Sequence, residues 1–252
     1  KGFTGVVFNY GTLTINDGEF LQSDASAPYG QAQVIHTDKD ANSQSAPSTK
    51  IFGGTFTNKC TSSTTAWCVR VTNAAAGSTT VSGGKFSKKV SDSYLAEGYV
   101  MASGKCVKAA TGVALEPKTA EMFIGDTLQL TTTIEPADAH QSVIWRATPA
   151  RIVTVSNGKV TAKKVGTATI TVTTSAGKKT ATCVVTVKEA VAEINGQKYA
   201  SLQEAFDAAQ SGDVVKLLKN VTVDNTDTVE ARTSISKPIT LDLNDKTITS
   251  PN

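Results

Sequence analysis

Nowhere along the 252 residues does an apolar run approach the roughly 20 residues that span a bilayer. Membrane insertion by this segment is therefore not expected. A basic block is missing too. With 25 Lys and Arg against 22 Asp and Glu, the formal charge is only +3, and that near-balance argues against nucleic acid as the main partner. Aromatics are scarce, at 6%. Thr, Ser, Val, Ala and Gly dominate instead, and short Thr/Val-rich runs between Gly, Asn and Asp read as many strands and few helices. No signal-peptide pattern opens the chain. It starts abruptly at "KGFTGVVFNYG" and stops as abruptly at "KTITSPN", which reads as a segment of a longer protein.

Cysteines number four: Cys60, Cys68, Cys106 and Cys183. They match no zinc spacing and no C-x-x-C motif. Cys60 and Cys68 flank "TSSTTAW" and are candidates for a small hairpin disulfide, with buried thiols as the alternative. Cys183, inside "TATCVVTV", reads as a small core residue.

What the chain does have is repetition. "LTINDGEF", "KIFGGTF" and "TVSGGKF" place Gly18, Gly54 and Gly84 each two residues before Phe20, Phe56 and Phe86. Short strands, a tight glycine turn and one recurring inward apolar residue fit stacked coils of parallel strands. Each coil cannot bury its apolar side alone, so neighbours about 4.8 Å apart share one core. The phenylalanines are expected to stack inside it. Residues 21–49 interrupt the series with a long polar insert. Residues 1–110 resemble the right-handed β-helix segments of large secreted bacterial proteins, in which "GGTF" and "GGKF" phrases recur.

From Val113 strands alternate with turn signals every eight to twelve residues, the grammar of a β-sandwich. "IGDTLQLTTTIEP", "VIWRAT", "IVTVSNGKVTAKKVGTATITV" and "TATCVVTV" follow one another in an order that closely resembles the bacterial immunoglobulin-like group 2 domain. The resemblance is strongest over 113–187, and the domain is placed at 111–189. It implies that Trp145 packs between the sheets. Asn157-Gly158 and Val165-Gly166 mark turns.

Residues 190–252 hold the one convincing helix, near 201–210. Ser201 and Glu204 form a capping-box pattern, and Leu202, Ala205, Phe206 and Ala209 give one apolar face. Ser211-Gly212 is expected to stop it. The stretch resembles the beginning of a β-helix, where such a helix covers the first coil. The fold class is thus all-β: β-helix segments plus an immunoglobulin-like sandwich, with one short capping helix. "LDLNDKTITSPN" also reads on into "KGFTGVVFNYGTLTINDGEF" as one coil series. Residues 190–252 are therefore expected to dock on 1–110 of the same chain or of a neighbour.

Catalytic chemistry on such a scaffold needs paired carboxylates, or a basic residue with acidic metal ligands, on adjacent coils. Asp17 and Glu19 flank a turn glycine, and Asp242 and Asp245 sit in "LDLND"; turn or solvated roles suit them better. His36 and His140 stand isolated, without a metal partner. "HTDKDAN" (36–42) and "TVDNTDTVE" (222–230) lack the full calcium-loop pattern. No enzyme, cofactor or metal is expected.

Binding is where the sequence leaves room. Aromatic anchors on polar loops are a recurrent recipe for protein recognition, and Tyr29, Trp67, Tyr94 and Tyr99 are the candidates. Trp67 and Tyr99 have core-filling as their competing role. The resemblance implies a surface-displayed segment of a Gram-positive bacterium, anchored through regions outside it. Such adhesin-like repeat proteins engage host proteins or glycans, and some bind host immunoglobulin outside its antigen site, as superantigens do. A structural stalk and a polysaccharide-degrading enzyme are the other readings.

Overall fold

The computed structural model describes residues 4–23, 32–39, 46–61, 66–72, 78–223 and 234–250. It divides into two compact units. One comprises Lys1–Val113, Thr133–Ile144 and Thr173–Thr180; the other comprises Ala114–Thr132, Trp145–Val172 and Ala181–Asn252.

In the first unit three successive stretches of chain, or coils, each lay down three short strands. Coil 1 holds β1 (Thr4–Asn9), β2 (Thr12–Ile15) and β3 (Glu19–Gln22). Coil 2 holds β4 (Ala32–Asp38), β5 (Ser48–Ile51) and β6 (Thr55–Asn58). Coil 3 holds β7 (Trp67–Thr72), β8 (Thr79–Val81) and β9 (Lys85–Phe86). Equivalent strands pair in parallel, giving three ladders: β1-β4-β7, β2-β5-β8 and β3-β6-β9. Phe20, Phe56 and Phe86 fall on one rung line. Their rings stack with centroids 4.9 and 4.8 Å apart and planes 4° and 9° from parallel. That separation is the strand spacing, and it suits an offset ring stack. Ile15, Ile35, Ile51, Val69 and Val81 complete the shared core.

The repeated glycines have a steric cause. A Cβ at Gly53 would stand 2.3 Å from the carbonyl oxygen of Asn16, and one at Gly83 would stand 1.9 Å from that of Phe52. The corner of each coil therefore lies against the backbone of the coil before it. In coil 1 the matching position is Asp17.

Asparagines fasten the corners. Asn9 donates from Nδ2 to the Ser48 carbonyl at 2.7 Å and to Thr49 Oγ1 at 2.8 Å, while its Oδ1 accepts from Gly11 N. Asn58 repeats the device. Its Nδ2 reaches the carbonyls of Ala32 and Trp67, both at 2.9 Å, and its Oδ1 accepts from Cys60 N.

The coil stack is closed after coil 3. Cys68 N donates to the Lys89 carbonyl, covering β7, and Ala96 N donates to the Val81 carbonyl, covering β8. The hairpin of β10 (Tyr99–Ala102) and β11 (Lys105–Lys108) adds antiparallel to β9. Cys60 and Cys68 are not bridged, contrary to one of the two sequence readings. Both are fully buried thiols. Cys68 Sγ donates to the Phe56 carbonyl and accepts from Lys88 N, each at 3.3 Å, inside the stack.

Nine strands follow in the central stretch: β12 (Gly112–Glu116), β13 (Thr119–Phe123), β14 (Thr127–Gln129), β15 (Thr131–Glu135), β16 (Val143–Thr148), β17 (Val153–Ser156), β18 (Lys159–Ala162), β19 (Gly166–Thr174) and β20 (Thr180–Lys188). They order as β13-β20-β19-β16, β14-β18-β17 and β12-β15. Alternation of Ala168, Ile170 and Val172 and of Cys183, Val185 and Val187 buries one face of β19 and β20. Cys183 is the small core residue its context implied. Asn157 (φ 48°) and Gly158 (φ 79°) form the two-residue turn between β17 and β18, the geometry that Asn-Gly favours. Trp145 is only half-buried; its ring lies 3.3 Å from where a Gly158 Cβ would stand.

The second unit ends with β21 (Ala192–Ile194), β22 (Gln197–Tyr199), α1 (Leu202–Ala208), β23 (Val214–Leu217), β24 (Val221–Thr222), β25 (Thr240–Asp242) and β26 (Ile248–Thr249). Ser201 caps α1 by accepting from Glu204 N at 3.1 Å, and Glu204 Oε2 reaches back to Ala200 N at 3.0 Å. Leu202, Ala205 and Phe206, followed by Ala209, are buried against β21 and β23 residues. The helix ends at Ala208, sooner than Ser211-Gly212 suggested: Ala209 leaves the helical region at ψ 145°, and Lys237 Nζ donates to the carbonyls of Asp207 and Ala209 at 2.9 and 2.7 Å. β21 and β22 form an antiparallel hairpin, β21 also pairs antiparallel with β23, and β25 and β26 then add in parallel to β23 and β24.

Candidate protein-recognition surface

The four aromatics singled out in the sequence differ in their surroundings. Tyr29 lies outside the described residues. Trp67 begins β7, half-buried, with Lys89 Nζ 4.9 Å from its ring centre. Tyr94 sits in the 3-10 turn Asp92–Tyr94, and Tyr99 in β10; both pack against the coil core. Tyr99 also borders a hollow of about 410 Å³ with Ser82, Cys106, Lys108, Asp138 and His140. There Lys108 Nζ holds Asp138 Oδ2 at 2.7 Å, and the hydrogen bond from Lys108 keeps the Asp138 carboxyl below its ordinary range.

A row of exposed side chains that the sequence reading passed over runs along coil 1. On β1 and the residue after it, Val6, Phe8 and Tyr10 are 42%, 36% and 49% exposed, while Val7 between them packs on the core. Alternation in "VVFNY" carries the signal: Val7 and Asn9 turn inward, and the apolar set of Val6, Phe8 and Tyr10 turns outward. Phe8 rests edge-on over His36, ring centres 5.4 Å apart. Phe52, at the corner between β5 and β6, is a further exposed aromatic, at 52%.

His36 supports this row from beneath. It is buried, its Nδ1 3.2 Å from Gln33 Nε2 and its Nε2 2.7 Å from Thr72 Oγ1. Burial lowers its pKa from the ordinary 6.5; Asp38 opposes that shift and Arg70 adds to it. A neutral ring is therefore held between two polar partners.

Two of the four carboxylates considered for chemistry are engaged in turns. Asp17 Oδ1 accepts from Gly18 N at 2.8 Å, and Asp242 Oδ1 from Asn244 N at 2.9 Å. Among the described residues no three His, Cys, Asp or Glu side chains gather as a metal site, and no helix is long and apolar enough to cross a membrane. Of the two acidic runs weighed for calcium, residues 40–42 and 224–230 fall outside the described residues.

Comparison with known proteins bears on the central strands. Residues 109–185 match the family model of the bacterial Ig-like domain (group 2), two residues earlier at the start and four at the end than the 111–189 read from the sequence. A minor capsid protein of Enterobacteria phage T3 is 46% identical over 65 residues, which is 26% of this chain and 15% of that protein. An uncharacterised protein of Clostridium acetobutylicum is 46% identical over 68 residues, 26% of this chain and 17% of its own length. The chain thus spans less than a fifth of the curated relatives it matches. Residues 109–185 are thus a bacterial Ig-like domain of group 2.

Proposed function

We propose that this chain is a non-catalytic recognition segment of a large bacterial cell-surface repeat protein, and that it engages a host protein through Val6, Phe8 and Tyr10. The specific partner in this reading is host immunoglobulin, bound outside its antigen site. The exposed row carries the proposal. Two aromatics and a valine in alternation along β1 and the residue after it stand exposed on one face, which scattered surface residues do not. Rigid aromatic anchors supply much of the energy of protein interfaces. The bacterial Ig-like domain supports an extracellular setting, and we read the three parallel ladders as turns of a right-handed β-helix, the hand of nearly all parallel crossovers.

Biolayer interferometry tests this against human immunoglobulin classes of varied heavy-chain family, mucin, fibrinogen and matrix proteins. Saturable binding to antibodies that share a variable-region family but differ in antigen supports the reading. Silence across the panel from a folded sample transfers the function to a stalk, and binding to mucin alone transfers it to a glycan adhesin.

A further inference from the structure

Two stretches of chain wall the hollow of about 410 Å³ beside Tyr99. One is the β10–β11 hairpin. Tyr99 and Lys108 are direct cross-strand partners, so their side chains leave the same face. Cys106, two residues before Lys108, shares that face as a buried lining residue, its Sγ donating to the Val81 carbonyl at 3.4 Å. The other wall is the loop between β15 and β16. His140 N donates to the Lys108 carbonyl at 3.0 Å, and Ala139 N donates to the Pro136 carbonyl at 2.8 Å. Gln141 Nε2 donates to the carbonyls of Ala137 and Ala139 at 3.1 and 2.7 Å. The loop is thus fixed to the hairpin before any ligand arrives, which lowers the ordering cost of binding.

The hollow offers donors and acceptors side by side. Lys108 Nζ meets both oxygens of Asp138, at 3.0 and 2.7 Å, so the cation is already neutralised. An ammonium has three donors and a carboxylate about four acceptor positions, so neither group is exhausted. Asp138 is 67% exposed and open to a ligand. Among the described residues neither the Tyr99 hydroxyl nor the His140 ring has a hydrogen-bond partner, and both residues line the hollow.

These features select a ligand class. A free anion would have to displace Asp138 from Lys108, and a cation would have to displace Lys108 from Asp138. An apolar ligand would take water from these charges and return no hydrogen bond. A pyranose ring meets every requirement. Each of its hydroxyls both donates and accepts, so one can give to Asp138 while its neighbour receives from Lys108. Its C–H face is compatible with an aromatic neighbour. The volume is near the small end of ligand pockets, about 300–1,000 Å³, and suits one or two sugar rings.

We propose that this hollow binds a neutral sugar residue of a glycan, with the Lys108–Asp138 pair taking a vicinal diol and Tyr99 and His140 flanking the ring. The site shares no residue with the outer row on β1 and does not depend on what that row binds.

Ligand-observed NMR of the chain tests this. The neutral probes are the methyl glycosides of glucose, galactose, mannose and N-acetylglucosamine; sialic acid is the anionic probe. Saturable binding to at least one neutral glycoside is expected, with amide shifts centred on Tyr99, Lys108, Asp138 and His140. Asp138→Ala and Lys108→Met should each weaken that binding at least fivefold. An exposed ion pair contributes little to folding, so both variants should keep the parent's unfolding temperature to within a few degrees. Preference for sialic acid over every neutral glycoside would overturn the proposal in favour of an anion site. No saturable binding to any probe, or binding that either variant retains unchanged, would overturn it outright. No antibody enters this measurement, so its failure and the failure of the reading of β1 are distinguishable.

Discussion

Phe56 lies between Phe20 and Phe86, and its ring meets that of Phe86 at 4.8 Å with planes 9° apart. It is fully buried, with a ring on either side, whereas Phe20 has one on a single side and is partly exposed. Truncation at Phe56 leaves a hole in the middle of the stack. Phe56→Ala is expected to cost about 3–5 kcal/mol, read as a lower urea midpoint, and Phe20→Ala distinctly less. Equal losses at the two positions would deny that the ladder is a shared core.

Gly83 sets a steric test. An added methyl would meet the Phe52 carbonyl oxygen at 1.9 Å, while nothing lies within 4 Å of one at Gly11. Gly83→Ala should cost roughly 1–3 kcal/mol or more as the corner is forced away. Gly11→Ala should stay within about 0.5 kcal/mol of the parent. Thermal unfolding of the two variants side by side separates them.

Much of this architecture was legible. The G-x-F phrase recurs once per coil and so announced the ladder of Phe20, Phe56 and Phe86, even though the glycine contacts behind it, Gly53 on Asn16 and Gly83 on Phe52, join successive coils. Asn157-Gly158 and the Ser201–Glu204 cap were equally plain, since turn and cap chemistry sit within four residues. Exposure was less legible. Tyr99 packs against the coil core, the competing role read for it, and so does Tyr94, because the closing segments fold over coil 3, a long-range event with no local mark at Tyr94. Val6, Phe8 and Tyr10 read as ordinary strand residues because alternation shows two faces but not which one the fold leaves bare. Cys60 and Cys68 had a plausible hairpin spacing, yet Cys68 Sγ is committed to Phe56 and Lys88.

Protonation of His36 gives the stability a pH slope. Its folded pKa lies below 6.5, so the unfolded chain takes up the proton first as pH falls. The contribution is fully present above 6.5 and is lost through the window beneath it, down to the folded pKa. Urea midpoints measured between pH 7.5 and 5 should fall with pH in the parent and fall less in His36→Gln. Identical slopes would remove His36 from the account.

The thiols should be silent in the native state. Burial pushes Cys106 up to about 11 and raises Cys68 and Cys183 as well, so little reactive thiolate exists at neutral pH. A chromogenic disulfide reagent is expected to find no fast-reacting thiol in the folded chain and four after denaturation without reductant. A count of two would restore the disulfide between Cys60 and Cys68.

The central claim is that the outer row on β1 recognises a host protein. Its most direct measurement is interferometry of the parent and of the Phe8→Ser/Tyr10→Ser variant against one antibody panel grouped by heavy-chain family. Both side chains are substantially exposed, so the variant should keep its thermal midpoint within a few degrees. The account requires saturable binding that follows the heavy-chain family and weakens at least tenfold in the variant. Binding that persists unchanged in the folded variant, or no binding by the parent to any antibody, would contradict it.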